Sequence, residues 1–412
     1  MEADGLKEPC EQIAGTTLVV KELDLSHVEQ YNNLLRYVFQ ITNSELESIG
    51  WQDFEMVKEK EPALKRASSL GWFDGDKLIS QVSVYPLKVN IHGKLFDMGG
   101  VTGVGTYPEY SGHGLVKGIM LKSLQQMKEA GQTISYLFPY SIPYYRKKGW
   151  EIISDVMSFS IKDTQLPEKV EVQGLVQRLE VDHDDVKIVY DLFARKNHGA
   201  MIRGQLDWGE YFRWDKEEMV AAVYYDINKE PTGFLFYWVE NDKFYLKEMI
   251  YLTQEARHGL WNFVSAHFSM VDEVKGRTYR NSPIAFLLED SEITETIKPY
   301  IMARIVDVPA FLKMYPFKDV AGSFHFVLHD PLLEFNNGVF SLVFDTDGNV
   351  AVGSEKIGKA VEMDINTLTT MLMSYKRPRY LKEIGRIQAD DDMIRILERI
   401  IPTESAYFSD FF

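Results

Sequence analysis

The hydrophobic pattern over the first 160 residues changes its period along the chain, which predicts alternating strands and helices. Apolar and polar residues alternate from Thr17 to Leu23, as in a half-buried strand. Apolar residues recur at helical spacing behind the capping residues Asp24 and Ser26. They do so again from Leu115 to Ala130, where Gly131 can end the helix. The same reasoning predicts a helix over 53–67 and strands over 71–73, 78–89, 94–106 and 134–138. This order of elements is typical of an α/β layer.

A second part of the chain repeats this pattern after a polar linker at 163–173. Two paired strands, predicted over 233–240 and 243–251, lead into another amphipathic helix. An alignment of the two parts places His258-Gly259-Leu260 over His113-Gly114-Leu115, and both triplets are predicted at a strand-to-helix junction. We therefore predict an internal duplication.

The second copy differs from the first at one informative position. Arg257 stands where the first copy has Gly112, so a loop tight enough to wrap a phosphate is less expected there. We expect the second unit to be degenerate and to serve as a scaffold or as a wall of the site.

The pattern changes again near residue 304, where strands come first and helices follow, as in an α+β domain. Strands are predicted over 305–312, 323–328, 339–344 and 350–353, and helices over 365–375 and 390–401. The run Asp345-Thr346-Asp347-Gly348 is typical of the start of a calcium loop, but no glutamate stands at the loop's last position, so we predict a hairpin turn. The whole pattern predicts a multidomain chain of α/β and α+β class, divided into 1–160, 161–303 and 304–412.

Composition and charge narrow the classes of function. The 412 residues include 61 acidic and 45 basic side chains, which gives a formal net charge of −16. This balance argues against nucleic-acid binding, which needs a basic face. It fits either a cationic small substrate or simply a well-solvated surface. Cys10 is the only cysteine and the nine histidines show no ligand spacing, so we expect no disulfide within the chain and no metal site.

The amino-terminal residues and the hydropathy predict where the protein is found. The start, Met1-Glu2-Ala3-Asp4, has neither the basic nor the apolar region of a secretory signal. No stretch approaches the roughly 18 apolar residues that a membrane span needs. We expect a cytoplasmic protein that contacts no membrane.

The segment from Gly99 to Leu115 is the sharpest candidate for chemistry. Its strand part is rich in glycine, which lets another molecule approach the backbone closely. Gly112 and Gly114 then allow a tight turn directly before a helix, where unpaired amides and the helix dipole favour a phosphate. Glycines that only relieve crowding at an ordinary strand-to-helix junction would give the same pattern. The segment has neither a P-loop nor the third glycine and acidic residue of a dinucleotide fingerprint.

Two motifs together resemble the GNAT superfamily of N-acetyltransferases. Pro108-Glu109-Tyr110-Ser111-Gly112-His113-Gly114 is followed about 30 residues later by Tyr144-Tyr145-Arg146-Lys147-Lys148-Gly149-Trp150. In GNAT proteins the first motif wraps the pyrophosphate of coenzyme A and the second closes the fold. The match departs from the family pattern at Ser111, where arginine or glutamine is usual, and at Val116, where glycine or alanine is usual. Loss of the cationic side chain should weaken the phosphate contact, although backbone amides supply most of it.

This resemblance implies which residues hold acetyl-CoA. Backbone groups of one strand would hold the thioester and the pantetheine arm, and one of these amides would stabilise the oxyanion. The loop before the helix would hold the phosphates. The strand residues are Val101, Thr102, Gly103 and Val104, and the loop residues are Ser111, Gly112, His113, Gly114, Leu115 and Val116.

Over its whole length the chain resembles the enhanced intracellular survival (Eis) family. Its members combine a GNAT unit, a degenerate second GNAT unit and a sterol-carrier-protein-like C-terminal domain. The resemblance therefore implies tandem GNAT folds followed by an α+β domain. Members end in an aromatic residue whose terminal carboxylate reaches the active site, and this sequence ends in Phe412. Relatives form trimers and hexamers, so a homo-oligomer is expected.

The resemblance also implies two catalytic roles. Tyr145 would be the general acid that protonates the departing thiolate of coenzyme A, and the carboxylate of Phe412 would be the base, directly or through water. The plainer alternatives are that Tyr145 is a core residue, like its neighbours Tyr140 and Tyr144, and that Phe412 is only a docked aromatic tail.

The acetyl donor implied by the family is acetyl-CoA, and the acceptor is a cationic amine of the aminoglycoside or polyamine type. Asp410 could bind a second ammonium group of such a substrate, but a solvated tail residue is the plainer expectation. Two other functions stay open at this point. One is acetylation of protein lysines, and the other is a non-catalytic ligand- or lipid-binding module on inert GNAT scaffolds.

Overall fold

The computed structural model of the chain describes residues 10–13, 16–42, 61–62, 64–212, 218–279, 283–318, 322–345 and 349–412. The predicted helix over 53–67 lies mostly outside these residues, although 61–62 and 64–66 are helical. The hairpin turn predicted at 345–348 also lies mostly outside them.

The alternating pattern of the amino-terminal part folds into one mixed sheet. Its described strands are β1 (Cys10–Ile13), β2 (Thr16–Glu22), β3 (Ser68–Asp74), β4 (Lys77–Ile91), β5 (Lys94–Thr106), β6 (Ile134–Leu137), β7 (Glu151–Ile152) and β15 (Met302–Ile305). They lie in the order β1-β2-β3-β4-β5-β6-β15-β7. β5 and β6 run parallel, and the other neighbours run antiparallel. This is the α/β layer that the pattern predicts.

Among the described residues, the helices that accompany this sheet include α1 (Val28–Phe39), α2 (Leu115–Glu129) and α3 (Ile142–Arg146). α2 confirms the predicted helix over 115–130. Its apolar stripe, which includes Ile119, Leu124 and Met127, is buried against the sheet. Gly131 follows with a φ of +76°, a conformation that ends a helix and suits glycine.

The second part of the chain builds a sheet of its own. Its described strands are β8 (Asp155–Lys162), β9 (Leu175–Leu179), β10 (Val220–Tyr225), β11 (Pro231–Glu240), β12 (Lys243–Tyr251), β13 (Glu273–Thr278) and β14 (Thr294–Pro299). They lie in the order β14-β8-β13-β12-β11-β10-β9, and β12 runs parallel to β13. The helices are α4 (Asp184–Ala194), α5 (Gln205–Phe212) and α6 (Gln254–Ser265). The predicted pair of strands over 233–240 and 243–251 is confirmed as β11 and β12.

The predicted alignment of the two parts is wrong in register. α6 begins at Gln254, so His258-Gly259-Leu260 lie inside the helix, whereas His113-Gly114 precede α2. Thr253 caps α6, and its side chain accepts a helix amide at 3.1 Å. Packing explains the glycine, because a side chain at Gly259 would come within 2.2 Å of the Tyr224 ring.

The C-terminal part forms a third sheet. Its described strands are β16 (Ser323–His329), β17 (Gly338–Phe344), β18 (Val350–Gly353) and β19 (Lys359–Asp364), in the order β18-β17-β16-β19. Its helices are α7 (Val308–Met314), α8 (Ile365–Leu372), α9 (Pro378–Glu383) and α10 (Asp391–Ile400). The sequence pattern did not predict β19 or α9.

The strand predicted over 305–312 is wrong. β15 ends at Ile305, and Asp307 caps α7 by accepting the amide of Ala310 at 3.0 Å. Pro309 stands in the first turn of that helix, where a missing amide costs nothing. The cap and the proline therefore outweigh the strand-like run of apolar residues.

The third sheet shares its core with the first. Phe96 of β5 packs against Phe311 of α7, with ring centroids 5.1 Å apart, in the cluster that also buries Phe326 of β16. In the chain β15 follows the second sheet, yet it completes the first sheet between β6 and β7. The boundaries at residues 160 and 303 stay a prediction.

Within the described ranges, no helix has both the length and the apolar character that crossing a membrane requires.

Candidate functional site

A gap opens in the first sheet where β5 and β6 part. The two strands pair only from Met98 opposite Ile134 to Gly100 opposite Tyr136. β5 continues to Thr106 beyond that point. Its backbone groups there have no β6 partner, so an elongated ligand can take the place of the missing strand.

A β-bulge turns the backbone of β5 inside this gap. β5 has one more residue than β4 between Thr102 and Gly105, so neither Gly103 nor Val104 has a β4 partner in register. Gly103 has a φ of +60°, and a side chain there would come within 2.6 Å of the Tyr31 hydroxyl. Bulges beside active sites redirect backbone groups, so the gap offers amides to a ligand.

The loop before α2 presents a row of free amides. Gly112 and Gly114 have φ values of +84° and +80°, and an added Cβ would meet no atom within 4 Å at either position. In the part of the chain that the structure describes, no acceptor takes the amides from Gly112 to Val116. Leu115 is buried and Val116 is half-buried, whereas the exposed loop residues are Ser111, Gly112, His113 and Gly114. These free amides at the start of a helix form a cradle that fits a diphosphate.

Three lysines stand close together near this loop. Partial burial lowers the pKa of Lys148, and repulsion from Lys117 and Lys147 lowers it further. None of the three forms an ion pair with a carboxylate among the described residues. Lysines gathered without counter-ions favour an anion, so they can supply the positive charge that Ser111 lacks.

Tyr145 is the buried member of its tyrosine group. It is 6% exposed, whereas Tyr140 is 93% exposed and Tyr144 is 37% exposed. Its ring packs edge-on against Trp150, with centroids 6.2 Å apart. Its hydroxyl makes no hydrogen bond with any described residue. Burial raises the pKa of Tyr145, so the phenol stays protonated at neutral pH and is free to donate to a ligand.

Tyr145 and Phe412 approach β5 from opposite faces. The Phe412 ring covers Gly100, because an added Cβ there would lie 2.8 Å from a ring carbon. Val101, the next residue, belongs to the apolar cluster that contains Tyr145. Successive residues of a strand point to opposite faces of a sheet. The two predicted catalytic residues therefore lie on opposite faces of the first sheet, with Phe412 at Gly100, where the gap opens, and Tyr145 in the cluster on the Val101 side.

The expectation that Asp410 is a solvated tail residue is wrong. Asp410 is 1% exposed, and Arg203 donates from Nε to its carboxylate at 2.6 Å. Burial raises the pKa of Asp410, and the Arg203 guanidinium opposes that rise. The hydroxyl of Tyr190 donates to the same carboxylate at 3.2 Å. Asp410 is thus already paired, and it docks the tail (residues 406–412) rather than offering a carboxylate to a substrate.

Three family profiles match consecutive stretches of the chain. Residues 19–153 match one described as "Acetyltransferase (GNAT) domain", and residues 199–305 match a second one of the same description. The chain belongs to the GNAT acetyltransferases. Residues 308–409 match "Sterol carrier protein domain", which completes the predicted Eis-like order of tandem GNAT folds and a C-terminal domain. GNAT acetyltransferases use acetyl-CoA, so the predicted acetyl donor agrees with the family.

Solved structures of other proteins share this architecture. A "Probable N-Acyltransferase" from Enterococcus faecalis V583 has a TM-score of 0.88 at 26% identity, over 96% of this chain and 100% of that one. A GCN5-related N-acetyltransferase from Anabaena variabilis has a TM-score of 0.83 at 23% identity over the same shares. Eis1 from Mycobacterium abscessus has the same fold, with a TM-score of 0.79 at 16% identity, again over 96% and 100%. No curated protein sequence matches the chain.

The structure places Val101 to Val104 along the gap and Phe412 at its opening, and it brings Leu115 and Tyr145 into the cluster on the Val101 side. The roles of Val101 to Val104, of Ser111 to Val116, of Tyr145 and of Phe412 stay predictions. Over the described ranges, no cluster of three histidine, cysteine, aspartate or glutamate side chains could hold a metal ion.

Sequence reasoning missed the lysine group and Arg203. Lys147 and Lys148 stand in the second motif, but only the fold brings Lys117 beside them.

Proposed function

We propose that this acetyltransferase moves the acetyl group of acetyl-CoA to the primary amine of a cationic small molecule, of the aminoglycoside or polyamine type. One observation carries the proposal. Phe412 covers Gly100, where β5 and β6 part, and Tyr145 belongs to the apolar cluster on the opposite face of β5. A donor bound on the Tyr145 side and an amine on the Phe412 side would meet in the gap, which suits transfer between two ligands.

The donor side has the features that coenzyme A requires. The free amides from Gly112 to Val116 would hold its diphosphate, and the ammonium groups of Lys117 and Lys148 would add charge. Backbone groups of Val101 to Val104 would hold the pantetheine arm in the gap that β6 leaves open. When bound there, acetyl-CoA supplies an acetyl group activated as a thioester.

The proposed acid is the hydroxyl of Tyr145. It would give its proton to the sulfur of coenzyme A as the acetyl group leaves. A thiol ordinarily has a pKa of about 8.5, well below that of the buried phenol. The burial that raises the pKa of Tyr145 would also raise the pKa of a thiol beside it. The difference between the two pKa values would then stay small enough for the proton to move from the phenol to the sulfur. The Val104 amide, at the bulge, is the donor that we assign to the thioester carbonyl oxygen.

The proposed base is the carboxylate of Phe412. A terminal carboxylate has a pKa of about 3.5 and is a weak base in water. The Phe412 ring packs against the rings of Tyr85 and Phe408, at 6.4 Å and 6.3 Å between centroids. We propose that these aromatic surroundings also reduce the hydration of the carboxylate, which would make it a stronger base. The carboxylate would take a proton from the substrate ammonium, directly or through water.

The acceptor side favours a cation. The rings of Phe138 and Phe411 meet edge-on beside Phe412, with centroids 5.3 Å apart, and both are nearly half exposed. Aromatic faces attract ammonium groups. The net charge of −16 acts in the same direction over a longer range.

Thiol release from acetyl-CoA across a panel of amines tests the proposed function. We expect turnover with at least one polyamine or aminoglycoside. A variant with residues added after Phe412 should lose about 100-fold or more in kcat, because the carboxylate is moved. Phe412→Tyr keeps a terminal carboxylate and is the matched control. Turnover only with a lysine peptide would show a protein acetyltransferase instead, and no turnover at all would contradict the proposal.

A further inference from the structure

The second acetyltransferase unit keeps the gap but not the loop that would bind a cofactor. β12 pairs with β13 only as far as Leu246 opposite Gly276, and a bulge at Lys247 interrupts its pairing with β11. The first sheet opens in the same way after Gly100. However, only Leu252-Thr253 connect β12 to α6, and two residues are too few to wrap a diphosphate.

A side chain of the tail bridges this second gap. The hydroxyl of Tyr407 donates to the carboxylate of Glu248, which lies on β12 just past the opening. The Tyr407 ring packs edge-on against Tyr279, just past the end of β13, with centroids 6.0 Å apart. The amide of Tyr407 donates to the carbonyl of His198 at 2.7 Å. Tyr407 therefore contacts β12 and the residue that directly follows β13.

Arg203, also from the second unit, fixes the next part of the tail. Its side chain is fully buried, its Nε donates to Asp410 at 2.6 Å, and its Nη2 donates to the Ser409 hydroxyl at 3.0 Å. Aromatic rings enclose the guanidinium, with centroids 3.7, 4.5 and 3.8 Å away, and they belong to Tyr190, Trp208 and Tyr211. A planar guanidinium enclosed in this way has one orientation, so it holds the tail in one register.

On its other side the tail meets the first unit. The Phe408 ring packs against Tyr136, with centroids 5.3 Å apart, and the Phe412 ring covers Gly100. Tyr136 and Gly100 are the last paired residues before the first gap opens. Because Phe412 follows Asp410 by two residues, fixing Asp410 limits where the carboxylate of Phe412 can lie.

We propose that the second unit is a holder for the tail, and that Arg203 is the positioning residue that keeps the Phe412 carboxylate at the gap of the first unit. The part that concerns the carboxylate rests on the proposed function. Docking of the tail by Arg203 rests on the contacts alone. In this arrangement the parted strands of the degenerate copy contact the chain's own tail in place of a ligand.

The test follows docking and turnover separately in wild type, Arg203→Met and Arg203→Lys. Hydrogen exchange of the tail amides, read by mass spectrometry, reports docking, and thiol release reports positioning. In Arg203→Met we expect exchange about tenfold faster and kcat about tenfold lower, with the KM for acetyl-CoA within about twofold. Arg203→Lys keeps the charge and should recover part of both losses.

Two further variants keep the test decisive. Lys128→Met breaks an ion pair with Asp307 away from the tail and should behave as wild type. Asp410→Asn keeps the shape of the tail and leaves the Arg203 guanidinium 3.9 Å from the carboxylate of Glu248, so the buried charge keeps a counter-ion and the variant should fold even if Arg203→Met does not. Its exchange should be about threefold faster.

Wild-type exchange in a folded Arg203→Met or Asp410→Asn protein would overturn the docking. Faster exchange with wild-type kcat would overturn the positioning role. If wild type itself turns over no amine, the proposed function fails and takes the positioning role with it, while the exchange rates still decide the docking.

Discussion

Gly112 and Gly131 lie just before and just after α2 in nearly the same backbone conformation, yet only one of them faces the proposed cofactor. Their φ values are +84° and +76°, and an added Cβ would meet no atom within 4 Å at either position. Alanine at either position therefore brings backbone strain and no collision. Comparing the two alanine variants therefore separates the effect of backbone strain on stability from the effect of a blocked amide cradle on cofactor binding.

Gly112→Ala should raise the KM for acetyl-CoA about tenfold, because the new methyl group stands where the diphosphate would lie and the turn resists the left-handed conformation. Gly112→Ala and Gly131→Ala should each lower the free energy of unfolding by about 1 kcal/mol. Steady-state kinetics and denaturant titrations measure the two effects. Equal KM values in the two variants would argue against the phosphate role of the loop.

At the scale of elements, the sequence predicts what depends on neighbours in the chain. α2 is predictable because its apolar stripe is regular and Gly131 ends it. β11 and β12 are predictable because the turn at Asn241-Asp242 lies between two alternating runs. In the candidate site, the glycines of β5 and of the loop before α2 can be found from the sequence in the same way.

Features that depend on distant contacts are not predictable in this way. The register of the second copy is wrong because Gly259 serves the packing of Tyr224 rather than a turn. The Arg203–Asp410 pair joins residues 207 positions apart, and neither residue stands in a motif. The gap and the bulge are properties of strand pairing, which a single strand's sequence does not contain.

A buried histidine pair joins three elements that come from the three parts of the chain. His92, in the turn between β4 and β5, stacks on His198, with centroids 3.6 Å apart. His198 accepts the His92 amide at Nδ1, at 3.2 Å, and its Nε2 lies 3.0 Å from the carbonyl of Met373, after α8. Burial lowers the pKa of His92 to about 2 and that of His198 to about 4.

This pair should make the protein less stable in acid. Both folded-state pKa values lie below the ordinary value of 6.5, so the unfolded chain binds more protons as the pH falls. The free energy of unfolding should therefore decrease from about pH 6.5 down to about pH 4. Denaturant titrations should show a shallower decrease in His198→Gln, and the wild-type slope in the exposed control His329→Gln. An unchanged slope in His198→Gln would exclude the pair as a cause.

For the whole molecule, the two acetyltransferase units are alike in fold but differ in the loop that leads from strand to helix beside the gap. The first has an exposed glycine loop before α2, whereas the second joins β12 to α6 through two residues and caps the helix with Thr253. Tyr407 of the tail contacts Glu248 and Tyr279, which lie just past the opening of the second gap. One chain should thus have one cofactor site.

Calorimetric titration with coenzyme A should accordingly give a stoichiometry of about one per chain, because the glycine turn before α2 has free amides, whereas two residues join β12 to α6. Gly112→Ala should weaken that single binding event. Two binding events per chain, or one that Gly112→Ala leaves unchanged, would place a cofactor in the second unit.

Thiol release by Tyr145→Phe, beside Tyr144→Phe, tests most directly whether the gap in the first sheet carries out acetyl transfer. The two tyrosines are neighbours, but only Tyr145 is buried in the cluster that lines the donor side. At saturating acetyl-CoA and amine, Tyr145→Phe should lower kcat about 100-fold or more and leave the KM for acetyl-CoA within about twofold. Tyr144→Phe should stay close to wild type. A Tyr145→Phe enzyme that turns over at the wild-type rate would contradict the account.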